Sequence, residues 1–494
     1  MTIVNKISSN ITILIVFSIF NLYSFISFSQ YQLEDTYAVS FFNSPWNVTN
    51  KDLKPTVSNS QVTIEVYPNS LRQKMWGFGG SITESCFDNL YKLNKDEQES
   101  FYTKLFSKKD GAGLDFLRIP IGGNDFSRFD YTLNDSKEPD LELLKMNFEP
   151  LNEYITFIKK AQTINPTLKF MITPWSPPAW MKEPAQLRGG QLLEKYFYVY
   201  SLYLIKIIKH FEQNGIPINY LTILNEPMSE QAKYNYYYQQ AYMSPQHQEK
   251  LITEYLKPLI EQEQLSTQIL AHDHNWDNSW DLINILRSNT KFVNSIGGFG
   301  YHCYGGQFND FINSMKYLPP EVPVFQTECS GIHKSGFNVN SEGVDFLWWL
   351  QNQVLDATRA GATGALSWNL CLDNNGNPHN GGCPNCRGLL TINPNENNSN
   401  FRIYPTSEWH ALAQVSKFID SNNTYKIDST DTGWSELQNV ALKNAKGQIV
   451  IVVKNPTYFN KQVLIKIEES RFGALSVPPM GAVSAIFNRN KFSN

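Results

Sequence analysis

The sequence predicts an α/β fold: a (β/α)8 barrel with an all-β sandwich formed from its N- and C-terminal segments. Three observations carry that prediction. Eight short β-like runs alternate with helical stretches between residues 76 and 372. The C-terminal runs QIVIVVKNP (448–456), QVLIKIEE (462–469) and AVSAIFN (482–488) are separated by turn residues, with no helical pattern between them. The run QVTIEVYPNS (61–70), ahead of the barrel, has the same character. The 494 residues suit one large domain and a smaller one, divided as 30–75 and 411–494 for the sandwich and 76–410 for the barrel.

Residues 1–29 stand apart. Lys6 precedes an apolar run ending at Ser27-Phe28-Ser29, with small residues where a signal peptidase cuts. This predicts a cleaved signal peptide and the secretory pathway, with a secreted or lysosomal destination. The run also approaches the lower length limit of a membrane span, so an uncleaved anchor is the alternative. N-x-S/T sequons at Asn47, Asn134, Asn397 and Asn422 fit a glycoprotein if their loops are exposed. A net charge of −4 and the absence of basic blocks exclude a nucleic-acid partner as an expectation.

The eight runs are WGFGGSIT (76–83), FLRIPIG (116–122), FMITPWS (170–176), LTILNEP (221–227), ILAHDHNW (269–276), GGFGYHCY (297–304), PVFQTECSG (323–331) and GALSWNLCL (364–372). GFGG at 77–80 lacks the spacing of a dinucleotide fingerprint, which argues against an open nucleotide-binding sheet. Among the helices the clearest lies between the third and fourth runs. There Tyr200, Leu204, Ile207, Ile208 and Phe211 form one stripe, and Gly215 is a natural stop.

Reactive side chains gather at the C-terminal ends of these runs, the functional face of such a barrel. The second leads to Asp125, the third ends in Trp175, and the fourth in Asn225-Glu226. The sixth ends in His302 and Tyr304, the seventh in Glu328, and the eighth in Trp368. Strands four and seven lie across the mouth from each other, so Glu226 and Glu328 can face one another over a cleft. Cleavage of a glycosidic bond uses such a pair, one carboxyl to protonate the leaving oxygen and one ionised group at the anomeric carbon. The structural alternative for Glu226 is a loop carboxylate in a salt bridge.

The ordered set GFGGSITES, LRIPIGGNDFS, TPWSPPAWMK, LNEPMSE, YHCY, QTECSG and SWNLCLDNNGNPHNGG resembles glycoside hydrolase family 30, in the branch containing glucosylceramidase (acid β-glucosidase). The resemblance runs from about Trp76 to the C terminus. It implies a retaining mechanism, with Glu226 as general acid/base and Glu328 as nucleophile, and it requires the pKa of Glu226 to lie above that of Glu328. It further implies that Asn225 bonds the sugar 2-hydroxyl and that Asp125 accepts from outer hydroxyls. Trp175 and Trp368 would offer stacking faces, Arg118 would fix nearby carboxylates, and His302 and Tyr304 would orient Glu328 or its neighbours. Arg118 and His302 also admit purely structural roles, and Trp180 can be core or ligand.

The resemblance favours glucosylceramide as substrate. The segment HNGGCPNCRGLLTIN (379–393) departs from the animal glucosylceramidase pattern and is more similar to β-1,6-glucanases and other wall-polysaccharide hydrolases, which are the alternative. A non-catalytic carbohydrate-binding barrel is a third reading. A lipid substrate implies peripheral membrane contact, for example through YNYYYQQAYM (234–243), and dependence on a lipid or an activator; the same stretch could pack internally. No metal or organic cofactor is expected. The six cysteines, Cys86, Cys303, Cys329, Cys371, Cys383 and Cys386, allow 15 pairings, and CPNC reads as a disulfide or free-thiol loop rather than a zinc site.

Overall fold

The computed structural model describes residues 31–41, 47–50, 62–135, 145–234, 236–333, 339–396, 402–420, 423–432, 437–468 and 470–489. The signal segment and the sequons at Asn397 and Asn422 lie outside them.

Eight parallel strands close into a barrel: Gly77–Ser81, Phe116–Ile121, Lys169–Pro174, Tyr220–Thr222, Gln268–Asn275, Gly298–His302, Val324–Glu328 and Ala362–Asn369. Each coincides with one of the eight runs. Between the first and second strands the backbones approach closely, and a Cβ on Gly79 would sit 1.7 Å from the Phe116 carbonyl oxygen. The glycines of GFGG therefore serve strand packing.

Inside the barrel the strand alternation sorts side chains into layers. Phe116, Met171, Tyr220, Leu270, Phe325 and Leu366 fill an apolar layer, with Trp76 beneath. Two residues further along, the same strands present Arg118, Thr173 and Thr222, linked by hydrogen bonds from Arg118 Nε to Thr173 (3.2 Å) and between the two threonine hydroxyls (2.9 Å). The barrel is thus apolar below and polar at its mouth.

Both chain ends build one nine-stranded sheet, in which Gly481–Arg489 pairs with Tyr31–Ser40 on one side and Ile449–Asn455 on the other. The edge strand Ser470–Val477 comes back against both Tyr31–Ser40 and Gly481–Arg489, so the sheet closes over its own core. Ile449, Ile451 and Val453 point into that core, while Val450 and Val452 join the main core of the barrel. Burial on both faces explains why this strand reads as an unbroken apolar run. The helix Ser407–Ser416 crosses residue 410 and is buried between barrel and sheet.

All six cysteines pair, as Cys86–Cys371, Cys303–Cys329 and Cys383–Cys386. Cys86, on the helix after the first strand, meets Cys371, just past the eighth, across the seam where the barrel closes. The Asn134 side chain is buried and donates to the Lys145 carbonyl (2.7 Å), an arrangement with no room for a glycan.

Candidate active site

The polar layer at the barrel mouth is organised by Arg118, fully buried on the second strand. Its guanidinium donates to Glu328, to Asn225 Oδ1 (2.8 Å) and to Asp273 Oδ2 (2.9 Å). Three strand ends are therefore tied to one cation, and the planar fork of arginine suits the task where lysine would not. Asn225 spends its oxygen on Arg118, which leaves its amide N–H groups for the cleft.

Glu226 stands at a turn with left-handed backbone (φ 45°), an unusual conformation for glutamate that costs of order 1 kcal/mol or more. The turn is held by Glu226 N donating to the Asp273 carbonyl (3.0 Å) and by buried Gln240 donating to the Asn225 carbonyl (3.1 Å). His272 and Asp273 on the fifth strand are left-handed too (φ 74° and 50°), where that strand bulges against the sixth. Three of the six non-glycine residues with positive φ among the described residues are therefore at the carboxylates.

His302 joins these groups. Its Nδ1 lies 3.0 Å from Glu226 Oε1 and its Nε2 lies 3.0 Å from Asp273 Oδ1. Glu328 Oε1 is 4.0 Å from the same Nδ1, so the two glutamate oxygens lie within about 7 Å of each other. Retaining enzymes separate their carboxyl groups by about 5–5.5 Å and inverting ones by roughly 6.5–9.5 Å, and the bound on this one oxygen pair is compatible with the shorter spacing. His302 contacts Glu226 more closely than Glu328.

Burial disfavours a charged His302, but Glu328, Asp273 and Glu226 outweigh it and push the pKa up to about 10. Burial also opposes ionisation of Asp273, yet Arg118 and His302 hold it far below the usual carboxylate range. The two glutamates depart from the expected order. Burial raises Glu226, but His274 and the hydrogen-bonded His302 more than offset this and leave it below its ordinary value. Burial raises Glu328, His302 and Arg118 oppose it, and repulsion by Glu226 and Asp273 leaves it above. Both glutamates feel the His302 imidazole and the Asp273 carboxylate; they differ in that Glu226 also faces His274, while Glu328 also faces the Glu226 carboxylate.

Above these groups lies a cleft of about 390 Å³. Its lining includes Asp125, Trp175, Trp368, Tyr236, Tyr238 and the Cys383–Cys386 loop, together with Asn275, Tyr304, Ser330 and Ile332. Trp175 and Trp368 differ from expectation. Their rings stack on each other at 4.9 Å, Arg118 lies over both, and they are only 1% and 2% exposed. No broad ring face is left open for a pyranose. Trp175, one of the residues lining the cleft, holds a buried indole N–H without a hydrogen-bond partner. Asp125 accepts from Trp368 Nε1 (3.3 Å), and burial together with repulsion from Glu328 raises its pKa well above the usual range, so it can donate as well as accept. Tyr304 is partly exposed at the rim, and Trp180 lies away from the cleft, donating to Asn134.

The stretch 234–243 divides: Tyr236 and Tyr238 line the cleft, Gln239 to Ala241 and Met243 are buried, and Tyr234 and Tyr237 are exposed. Arg188 clasps the surrounding loops, bonding Asp130, the Tyr237 carbonyl (2.9 Å) and Asn380 (3.0 Å). Asn380 N in turn donates to the Asp125 carbonyl (2.7 Å).

Asp273, His274, Tyr238 and Arg188 have no assigned role in the sequence reading. The sequence HDHN (272–275), three ionisable groups and an amide at a strand end, was the available signal for the first two.

Two buried carboxylates facing a cleft at the mouth of a (β/α)8 barrel are the arrangement that a glycosidase uses. More narrowly, the chain belongs to glycosyl hydrolase family 30, whose TIM-barrel domain matches residues 75–419. It is 25% identical to an endo-1,6-β-D-glucanase of Neurospora crassa over 87% of this chain and 88% of that one. It is 22% identical to the lysosomal acid glucosylceramidase of Mus musculus, over 85% and 81% respectively. The solved structure of the endo-β1,6-glucanase BT3312 superposes with a TM-score of 0.82 at 27% identity, covering 92% of this chain and 99% of that one.

Proposed function

We propose that this protein is a retaining β-glycosidase acting on β-1,6-linked glucan, with Glu328 as nucleophile and Glu226 as acid/base. The observation that carries the substrate class is the similarity, over nearly the full length of both chains, to endo-1,6-β-glucanases. It outranks the weaker similarity to the mouse glucosylceramidase, so glucosylceramide gives way as the favoured substrate. The Cys383–Cys386 loop in the cleft wall supports the same reading, because it lies in the segment that departs from the animal lipid-hydrolase pattern. Membrane contact and activator dependence belong to the lipid reading, and cleavage of a glucan does not call for them. Among the described residues no helix is long and apolar enough to cross a membrane.

Arg118 aims the Glu328 carboxylate, which attacks the anomeric carbon while the bond to the leaving oxygen breaks. That oxygen takes a proton from Glu226. His302 and Glu226 share the proton across 3.0 Å: moving it from Nδ1 to Oε1 makes Glu226 a neutral acid without changing the charge of the pair. Nε2–H stays on Asp273 throughout. In the second step Glu226 accepts a proton from water, whose oxygen attacks the glycosyl-enzyme and releases Glu328. The free N–H groups of Asn225 and Trp175 bind sugar hydroxyls, and Asp125 takes an outer one.

The test offers a β-1,6-glucan and glucosylceramide in mixed micelles side by side, with Glu328→Gln as blank and NMR detection of the first-formed anomer. The expected result is β-anomer release from the glucan alone. Glucose released only from the lipid would overturn the substrate class, and an initial α-anomer would overturn the double displacement.

A further inference from the structure

We infer that the Cys303–Cys329 disulfide is a positioning device for both catalytic carboxylates, locking the ends of the sixth and seventh strands where their hydrogen-bonded ladder stops. The inference rests on the roles proposed above for Glu226 and Glu328.

The register shows why a lock belongs there. Phe299 pairs with Val324, Gly300 with Phe325 and Tyr301 with Gln326; the register then shifts, and His302 comes to stand opposite Glu328. The next residue on each strand is a cysteine, and the two are bonded. His302 and Glu328 are thus the last pair of the ladder, at an irregularity, with no further backbone pairing beyond them to resist sliding or splaying. The disulfide supplies that resistance covalently. It also reaches the neighbouring strands: the Cys329 carbonyl accepts from Trp368 N (2.9 Å) on the eighth, and Tyr304 N donates to Asn275 Oδ1 (3.1 Å) at the end of the fifth. One covalent bond and two hydrogen bonds therefore tie together four consecutive strand ends.

What it protects is a set of short distances. His302 Nδ1 stands 3.0 Å from Glu226 and 4.0 Å from Glu328, so a slip of the sixth strand against the seventh alters the proton supply of the acid and the field at the nucleophile together. Misplacement by about 1 Å can cost on the order of a hundredfold in rate. Glu226 is faced by His302, His274, Asp273 and Glu328, and Glu328 by Arg118, His302, Glu226 and Asp273, with Asp125, Tyr238 and Tyr304 on the cleft walls. Of these, His302 and Glu328 are the groups whose positions the disulfide controls most directly, being adjacent to Cys303 and Cys329.

The test compares the full chain with its Cys303→Ala/Cys329→Ala variant on an aryl β-glucoside, which needs only the sugar-binding end of the cleft. The expected result is a kcat lower by about ten- to hundredfold, with KM and the affinity for an iminosugar within about threefold. The alkaline limb of the kcat profile should move to lower pH by about one unit, because His302 loses the enforced proximity of its anions. Loss of stability alone would lower Tm without moving that limb. In parallel, the parent is titrated with dithiothreitol under native conditions, and opening of each disulfide is read by differential alkylation and peptide mapping. Activity should fall in step with alkylation of Cys303 and Cys329, which keeps the test decisive if the variant fails to fold. Unchanged kcat and pH profile in the variant, or full activity after Cys303 and Cys329 are alkylated, would overturn the inference. An active Glu328→Gln protein would instead sink the assignment of the carboxylates themselves.

Discussion

Replacing Asp273 with asparagine keeps the size of the side chain and removes the anion shared by two buried cations, Arg118 at 2.9 Å and His302 at 3.0 Å. The rise of His302 from about 6.5 to about 10 corresponds to roughly 5 kcal/mol favouring its charged form, and Asp273 ranks just behind Glu328 among the groups that supply it. Breaking a buried ion pair by removing one partner costs about 3–5 kcal/mol. For a chain of this size that lowers Tm by roughly 3–5 °C. The sign with pH follows from the direction of each shift. A raised histidine contributes stability that is whole below about pH 6.5 and is lost as pH rises through about 10, so the variant should lose that contribution at lower pH than the parent. The depressed Asp273 contributes stability that is present above about pH 3.9 and is lost as pH falls, and the variant lacks this term. The assay is thermal unfolding from pH 4 to 10, with kcat measured on an aryl β-glucoside across the same range. A Tm within 2 °C of the parent at both pH 6 and pH 9 would refute the reasoning, because it would mean that His302 and Arg118 do not need this anion.

Glu226→Ala should lose turnover of substrates with poor leaving groups by about a thousandfold or more, and azide should restore activity by forming a β-glycosyl azide; an α-azide or no rescue would contradict the acid/base role. Trp175→Phe removes an indole N–H that has no protein partner, and should lower kcat/KM about fivefold, near 1 kcal/mol, with little change in Tm. Arg188→Ala opens the clasp on Asp130, Tyr237 and Asn380, and should raise KM for β-1,6-glucan about three- to tenfold while kcat holds; equal affinity would show the loops to be rigid without it.

Much of the barrel could be read from the chain because each strand is short, apolar and followed by a helix, and because active groups collect at strand ends. Glu226, Glu328, Asn225 and Asp125 were visible for that reason. The network beneath them was not. Asp273 and His274 sit in a conspicuous HDHN, but only the left-handed bulge at 272–273 turns Asp273 toward Arg118 and His302, and no periodicity encodes such a bulge. The mutual stacking of Trp175 and Trp368 was not legible, because an aromatic at a rim reads the same whether its face meets a sugar or another indole. The pKa order of the two glutamates escaped because it depends on His274 arriving from the fifth strand, and a sequence records neighbours along the chain only. Arg188 carried no signal along the chain, because two of its partners lie 58 and 192 residues away.

The bond between Cys86 and Cys371 spans 285 residues and joins the two sides of the barrel seam. A protease that cuts once anywhere between them produces two polypeptides but not two particles. The nick converts a linear chain into halves that remain riveted at the first and last strands, and their relative diffusion stays confined to that of the intact protein. Such damage would be invisible on a non-reducing gel and would appear only when the rivet is reduced. Wear in the long loops would then accumulate silently, with cleaved molecules still working beside whole ones.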